Sequence, residues 1–91
     1  MRQPEKQFDT CIRLLRDAGE KGELKIDSLT VTEATEYRTI EVWFGKKVAI
    51  VQETDENWSN MFGLLNLYIG SKRYGLQSAV NVVCLLQDQI K

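Results

Sequence analysis

The chain has 91 residues, enough for one domain around a single hydrophobic core but too few to add a large enclosed active-site cleft. The lysines and arginines number 12 and the acidic residues 13, so a net charge of −1 provides no field that attracts nucleic acid or an anionic membrane. No histidine is present, which removes the commonest general base and the commonest neutral metal ligand.

The first predicted element is a helix over residues 4–18. Pro4 suits the first turn of a helix, because its missing N–H has no partner there in any case. Gly19 follows the apolar residues and is a typical helix-ending residue. The apolar residues that recur at helical spacing are Phe8, Cys11, Ile12, Leu15 and Ala18.

The next segment is β-like, but its apolar residues are out of phase. Leu24 and Ile26 share one face of an extended chain, whereas Leu29 and Val31 share the other. Because side chains alternate along a strand, both pairs face one core only if a bulge near Ser28 or a break in the strand intervenes. Both arrangements are compatible with the sequence.

A β-hairpin is predicted over Tyr37–Glu53. Its arms are Thr39–Phe44 and Val48–Gln52, which alternate or run apolar on either side of Gly45-Lys46-Lys47. Two such arms around a glycine-containing turn are typical of paired antiparallel strands.

The length of the hairpin loop determines which residues pair. A two-residue loop of Gly45 and Lys46 places Phe44 opposite Lys47, whereas a three-residue loop places Phe44 opposite Val48. The three-residue loop gathers the larger set of apolar side chains on one face, so we predict that register.

In both registers Trp43, Glu41 and Thr39 lie on the face away from the helices. A tryptophan with aliphatic neighbours on an open sheet is a candidate recognition patch, unless helix one or the loop of the first strand covers it. We predict Trp43 and Glu41 as partner-binding residues, with Lys46 and Lys47 at the hairpin tip.

Two helices are predicted after the hairpin. The first begins at a Thr54 cap and ends before Gly70, with an apolar stripe that runs to Ile69. The second continues to Ile90, and Ser71–Gly75 is either a short connection before it or, with Ser71 as the cap, its first turn. The predicted fold is therefore α+β in a single domain, 1–91: an N-terminal helix, a three-stranded antiparallel meander and two C-terminal helices packed on one face.

These two helices are too apolar around their circumference for a three-stranded sheet to cover them. Either they pack on each other, or they form a homodimer or partner surface. The surplus residues are Leu64, Leu67, Tyr68, Val82 and Leu85.

Cys11 and Cys84 both fall on apolar stripes, which favours reduced core cysteines and leaves open whether the two ever pair. The longest apolar run is Val82–Leu86, far below the ~20 residues that cross a bilayer. The polar start Met1–Lys6 has no signal-peptide pattern. We therefore expect a cytoplasmic protein that makes no membrane contact.

No phosphate loop, metal-ligand spacing or nucleophile motif is present, so we expect neither enzymatic activity nor a cofactor or metal. The predicted function is protein–protein binding without chemistry. A second candidate surface surrounds the predicted interhelix turn, with Tyr68, Lys72, Arg73 and Tyr74. The alternative is nucleic-acid association through Lys72, Arg73 and the basic hairpin tip.

Two limited resemblances accompany these alternatives. Ser71-Lys72-Arg73 before an Ala- and Val-containing helix resembles part of a double-stranded RNA-binding domain, although here a predicted helix separates it from the third strand. The order of one helix, three strands and two helices is similar to that of some small phage-encoded inhibitors of host nucleases. That resemblance implies a phage or microbial accessory or inhibitor protein, acting by surface binding.

Overall fold

The computed structural model describes residues 6–34, 37–53 and 65–90. The described strands form one antiparallel sheet in chain order, with each strand paired to the next. The elements are α1 Gln7–Glu20, β1 Ser28–Glu33, β2 Arg38–Phe44, β3 Lys47–Glu53, β4 Leu65–Ile69, β5 Lys72–Gln77 and α2 Ala79–Gln89.

Helix α1 ends at Glu20, and the glycine that terminates it is Gly22 rather than the predicted Gly19. The Glu23 N–H donates to the Ala18 carbonyl at 2.9 Å and the Gly22 N–H donates to the Gly19 carbonyl at 3.3 Å. Gly22 has a φ of 77°, so this is a Schellman motif, in which a glycine in the left-handed conformation reverses the chain. The predicted apolar stripe is confirmed, with Phe8, Cys11, Leu15 and Ala18 buried; Pro4 lies outside the described residues.

The phase conflict in the next segment is resolved by a break. Leu24 and Ile26 precede the strand and pack against the core below the end of α1. Strand β1 then begins at Ser28, and its Leu29 and Val31 also pack against the core. The two apolar pairs therefore need not share one strand phase.

The β2–β3 hairpin has the two-residue loop, so the predicted three-residue register is wrong. Phe44 pairs with Lys47 and Trp43 pairs with Val48. Gly45 adopts a φ of 65° at the first loop position, as a tight turn of this kind requires, and its N–H donates to a carboxylate oxygen of Asp27.

The largest correction concerns the segment predicted as the end of the second helix. Residues 65–69 form β4, and residues 70–71 are a second tight turn into β5. Gly70 has a φ of 61°. Burial alternates along β4, with Leu65, Leu67 and Ile69 buried. The predicted helix start, residues 54–64, lies outside the described residues.

The fold is therefore α+β, but the described part of the chain has two helices and a five-stranded sheet, not a three-stranded sheet with two C-terminal helices. The prediction failed because the apolar spacing up to Ile69 fits a helix as well as a strand. Pairing with β3 favours the strand, because the backbone groups at the edge of β3 form their hydrogen bonds with β4. The likeness in element order to phage-encoded inhibitors no longer applies.

Helix α2 is shorter than predicted, because residues 72–77 form a strand and Ser78 caps the helix. The Ser78 hydroxyl accepts from the Asn81 N–H at 3.3 Å. Val82 and Leu67 are buried and Leu85 packs against the core, so three of the five residues considered for association pack within the domain.

Both helices lie on one face of the sheet, where they form a single core with the inward-facing side chains of β2, β3 and β4. The buried sheet residues are Ile40, Val42, Phe44, Ala49, Val51, Leu65, Leu67 and Ile69.

Candidate functional site on the open face of the sheet

The candidate site is the sheet face opposite the helices. Because side chains alternate along a strand, residues between the buried positions point away from the core. We call this surface the open face. Among the described residues its members with large or charged side chains are Glu41, Trp43, Val48, Ile50, Tyr68, Arg73 and Leu76.

The strand register aligns part of the open face into one row. Glu41 is opposite Ile50, Ile50 is opposite Tyr68, and Tyr68 is opposite Arg73. Neighbouring strands are about 4.8 Å apart, so the row extends about 15 Å across the sheet. Trp43 lies in the adjoining row, and the result is a continuous surface with an apolar centre.

Trp43 is hydrogen-bonded to its neighbour on the same face. The indole Nε1–H donates to Glu41 Oε1 at 2.9 Å, and 37% of the tryptophan remains exposed. The polar group of the indole is thus satisfied within the chain, which leaves the ring to make apolar contacts. An anchor already ordered loses less side-chain entropy on binding.

The two tight turns lie side by side. The Gly70 N–H donates to the Val48 carbonyl at 2.8 Å, which places the β4–β5 turn next to the β2–β3 turn. Four predicted site residues therefore meet at one end of the sheet, although they are far apart in sequence. This cluster, the basic end, consists of Lys46, Lys47, Lys72 and Arg73.

Tyr74 lies apart from the open face. Its side chain packs against the core and lines a small surface cavity beside α2, together with Cys84 and Leu85. The Lys72 ammonium lies 5.1 Å from the centroid of the Tyr74 ring, which connects this tyrosine to the basic end rather than to Trp43.

Val48, Ile50 and Leu76 are members of the site that the predicted register and helices did not include. Val48 and Ile50 share the face of Trp43 only with the two-residue loop. The Gly70-Ser71 pair between alternating apolar residues is the sequence signal for the second hairpin, which brings Leu76 onto the open face.

The most strongly paired charges among the described residues lie on the helix side. Arg38 donates to both carboxylate oxygens of Glu53, at 3.1 and 2.8 Å, and to Asp9 at 3.1 Å. Its guanidinium is 4.4 Å from the centroid of the Phe8 ring. The hydrogen bonds to Glu53 are the main cause that raises the pKa of Arg38. These contacts connect β2, β3 and α1, which is a structural role.

The two cysteines differ, and the prediction that both are core residues is wrong for Cys84. Cys11 is buried, whereas Cys84 is exposed, and both are free thiols. Cys84 lies on the outer side of α2 because Val82 and Leu86 provide the buried contacts of that helix. Burial raises the pKa of the Cys11 thiol to about 12.

We expect a thiol reagent to modify one cysteine of the native protein at pH 8. A buried thiol with a pKa of about 12 is neither accessible nor ionised, whereas Cys84 is accessible. Mass spectrometry should show one adduct on the native wild-type protein and none on native Cys84→Ser. The wild-type protein in denaturant should carry two adducts. Rapid native modification of Cys84→Ser would contradict the burial of Cys11.

Within the described ranges no group of three or more cysteine or acidic side chains could hold a metal ion. No helix in those ranges is both long and apolar enough to cross a membrane. No family model, curated protein or solved structure matches the chain.

Proposed function

We propose that the protein is a small non-enzymatic binding protein that contacts a protein partner through the open face. The observation that carries this proposal is the exposed, hydrogen-bonded Trp43 on the same face as Val48, Ile50 and Tyr68. Tryptophan and tyrosine anchors surrounded by aliphatic groups are typical of the residues that dominate the energy of protein interfaces.

The charges of the open face favour a protein over nucleic acid. Its described row carries one acid, Glu41, and one base, Arg73. The Glu41 carboxylate adjoins the indole. A nucleic acid that stacked a base on Trp43 would therefore bring its phosphates close to a negative charge. A protein partner can instead pair with both charges at the rim of an apolar contact.

The chemistry of the described side chains supports binding rather than catalysis. The guanidinium of Arg38 is already paired with two carboxylates, and the Cys11 thiol is buried and protonated. Neither group offers the free, tuned acid, base or nucleophile that catalysis uses.

We expect Trp43→Ala to lose the partner while the domain stays folded. Loss of a hot-spot tryptophan costs at least about 2 kcal/mol of binding, or about 30-fold in affinity. The measurement is a tagged pull-down from nuclease-treated lysate, followed by titration with the purified partner. Val80→Ala is the control, because Val80 is 59% exposed on α2, outside the open face.

A partner that binds wild type and Val80→Ala equally but not Trp43→Ala supports the proposal. Retention by all three would contradict it. If Trp43→Ala lowers the thermal unfolding midpoint as much as the truncation of a buried residue would, Trp43 stabilises the domain instead of binding a partner.

The basic end favours a second candidate, association with nucleic acid. Its four cationic residues lie at one end of the sheet although the net charge of the chain is −1. Arg73 is on the open face, whereas Lys47 and Lys72 pair with the core-facing Phe44 and Ile69. Under this reading, Lys72→Glu combined with Arg73→Glu abolishes binding, and the affinity falls steeply with salt because counterions are released. Nuclease treatment of the lysate would then remove the captured material.

A further inference from the structure

Strand β1 is an edge of the sheet with outward-facing backbone groups. The Ala34 N–H donates to the Tyr37 carbonyl at 2.9 Å, and the Trp43 carbonyl also points toward the β1 side, accepting from the Asp27 N–H. Antiparallel pairs alternate between hydrogen-bonded and non-bonded positions, so the even-numbered residues of β1 bond to β2. The N–H and C=O groups of Leu29, Val31 and Glu33 therefore point away from the sheet.

Strand β5 at the opposite edge carries features that discourage edge pairing, whereas β1 itself, Ser28–Glu33, has neither a bulge nor a proline. Strand β5 has a register irregularity, a glycine at φ 78° (Gly75) and two cationic residues at its start. Bulges and positive charges of this kind prevent edge-to-edge pairing. Strand β1 pairs with β2 without a register shift and contains no proline, and its single charge is the terminal Glu33.

We propose that β1 pairs antiparallel with β1 of a second copy of the chain, around a two-fold axis at Thr30. Leu29 of one copy then lies opposite Val31 of the second copy, and Ser28 lies opposite Thr32. The outward backbone groups of Leu29 and Val31 exchange hydrogen bonds across the axis. The two sheets become one continuous sheet of ten described strands.

The strand is complementary to itself in this register. Leu29 and Val31 lie on the helix side and pair aliphatic with aliphatic, while the hydroxyl residues pair on the other face. A register centred on Val31 instead places Leu29 opposite the Glu33 carboxylate. The pairing uses the edge of the sheet and leaves Trp43 accessible, so the dimer and the binding function are independent.

A cysteine substituted on the axis tests the register directly. In a Cys84→Ser background, Thr30→Cys places two thiols opposite each other in a non-hydrogen-bonded pair, where the Cβ atoms are about 4.5–5.5 Å apart. We expect a covalent dimer on mild oxidation. Thr32→Cys is the matched control, because its cysteine faces Ser28 of the second copy and should form no covalent dimer.

Val31→Pro tests the hydrogen bonds. Proline removes an N–H that points outward and leaves the bonds to β2 intact. By sedimentation between about 1 and 200 µM, we expect wild type to dimerise and Val31→Pro to associate at least about tenfold more weakly. Circular dichroism verifies the fold of the variant. If Val31→Pro unfolds, the comparison of Thr30→Cys with Thr32→Cys tests the dimer.

A wild-type protein that is monomeric across this range, or equal cross-linking of Thr30→Cys and Thr32→Cys, would overturn the proposal. If the wild-type protein is monomeric and Trp43→Ala still abolishes partner binding, only the proposed dimer is overturned. The proposed function then remains in place.

Discussion

Leu67→Ala is expected to lower the free energy of unfolding by about 2–5 kcal/mol. Leu67 is fully buried in the middle of β4, opposite Val51 of β3 and Gly75 of β5. Its truncation removes apolar contacts and leaves a cavity that the neighbouring strands cannot fill without moving. Small domains are stable by about 5–15 kcal/mol, so urea denaturation should show a large shift of the midpoint.

Leu76→Ala is the matched control for that experiment. It makes the same chemical change on the neighbouring strand β5, but Leu76 is 51% exposed on the open face. We expect a change within about 1 kcal/mol. Equal losses for the two variants would contradict the assignment of Leu67 to the core face and Leu76 to the open face, and with it the strand structure of residues 65–69.

Arg38→Met is expected to destabilise the domain by about 2–3 kcal/mol. The Arg38 side chain is 22% exposed and that of Glu53 is 12% exposed, so the substitution leaves the Glu53 carboxylate largely buried without its bidentate partner. Asp9 is more exposed and water can replace its contact. Urea denaturation at pH 7 measures the change in the free energy of unfolding.

The double variant Arg38→Met with Glu53→Leu separates a buried charge from lost packing. It removes both charges, so we expect it to be less destabilised than Arg38→Met alone. Lys21→Ala is the exposed control: Lys21 pairs with Asp17 at 3.0 Å in water, and its loss should leave stability close to wild type. An Arg38→Met variant as stable as Lys21→Ala would show that the Arg38 contacts contribute little.

The parts of the fold that were predictable from sequence rest on local patterns. The stripe from Phe8 to Ala18 permits a helix and excludes a half-buried strand, and the arms around Gly45 permit a hairpin. Alternation along β2 then places Trp43 and Glu41 opposite the core whichever loop closes the hairpin. The placement of these two residues of the candidate site was therefore predictable.

Contacts distant in sequence decided the rest. Residues 65–69 fit a helix or a strand by their spacing, and pairing with β3 selected the strand, because an unpaired β3 edge would leave backbone groups unsatisfied. That pairing brings Tyr68 and Arg73 into the row of Glu41 and moves Lys72 next to the first hairpin turn. Local sequence thus determined α1, the presence of the first hairpin and the face of Trp43. The five-stranded sheet and the complete open face depend on backbone pairing between strands, which no local periodicity encodes.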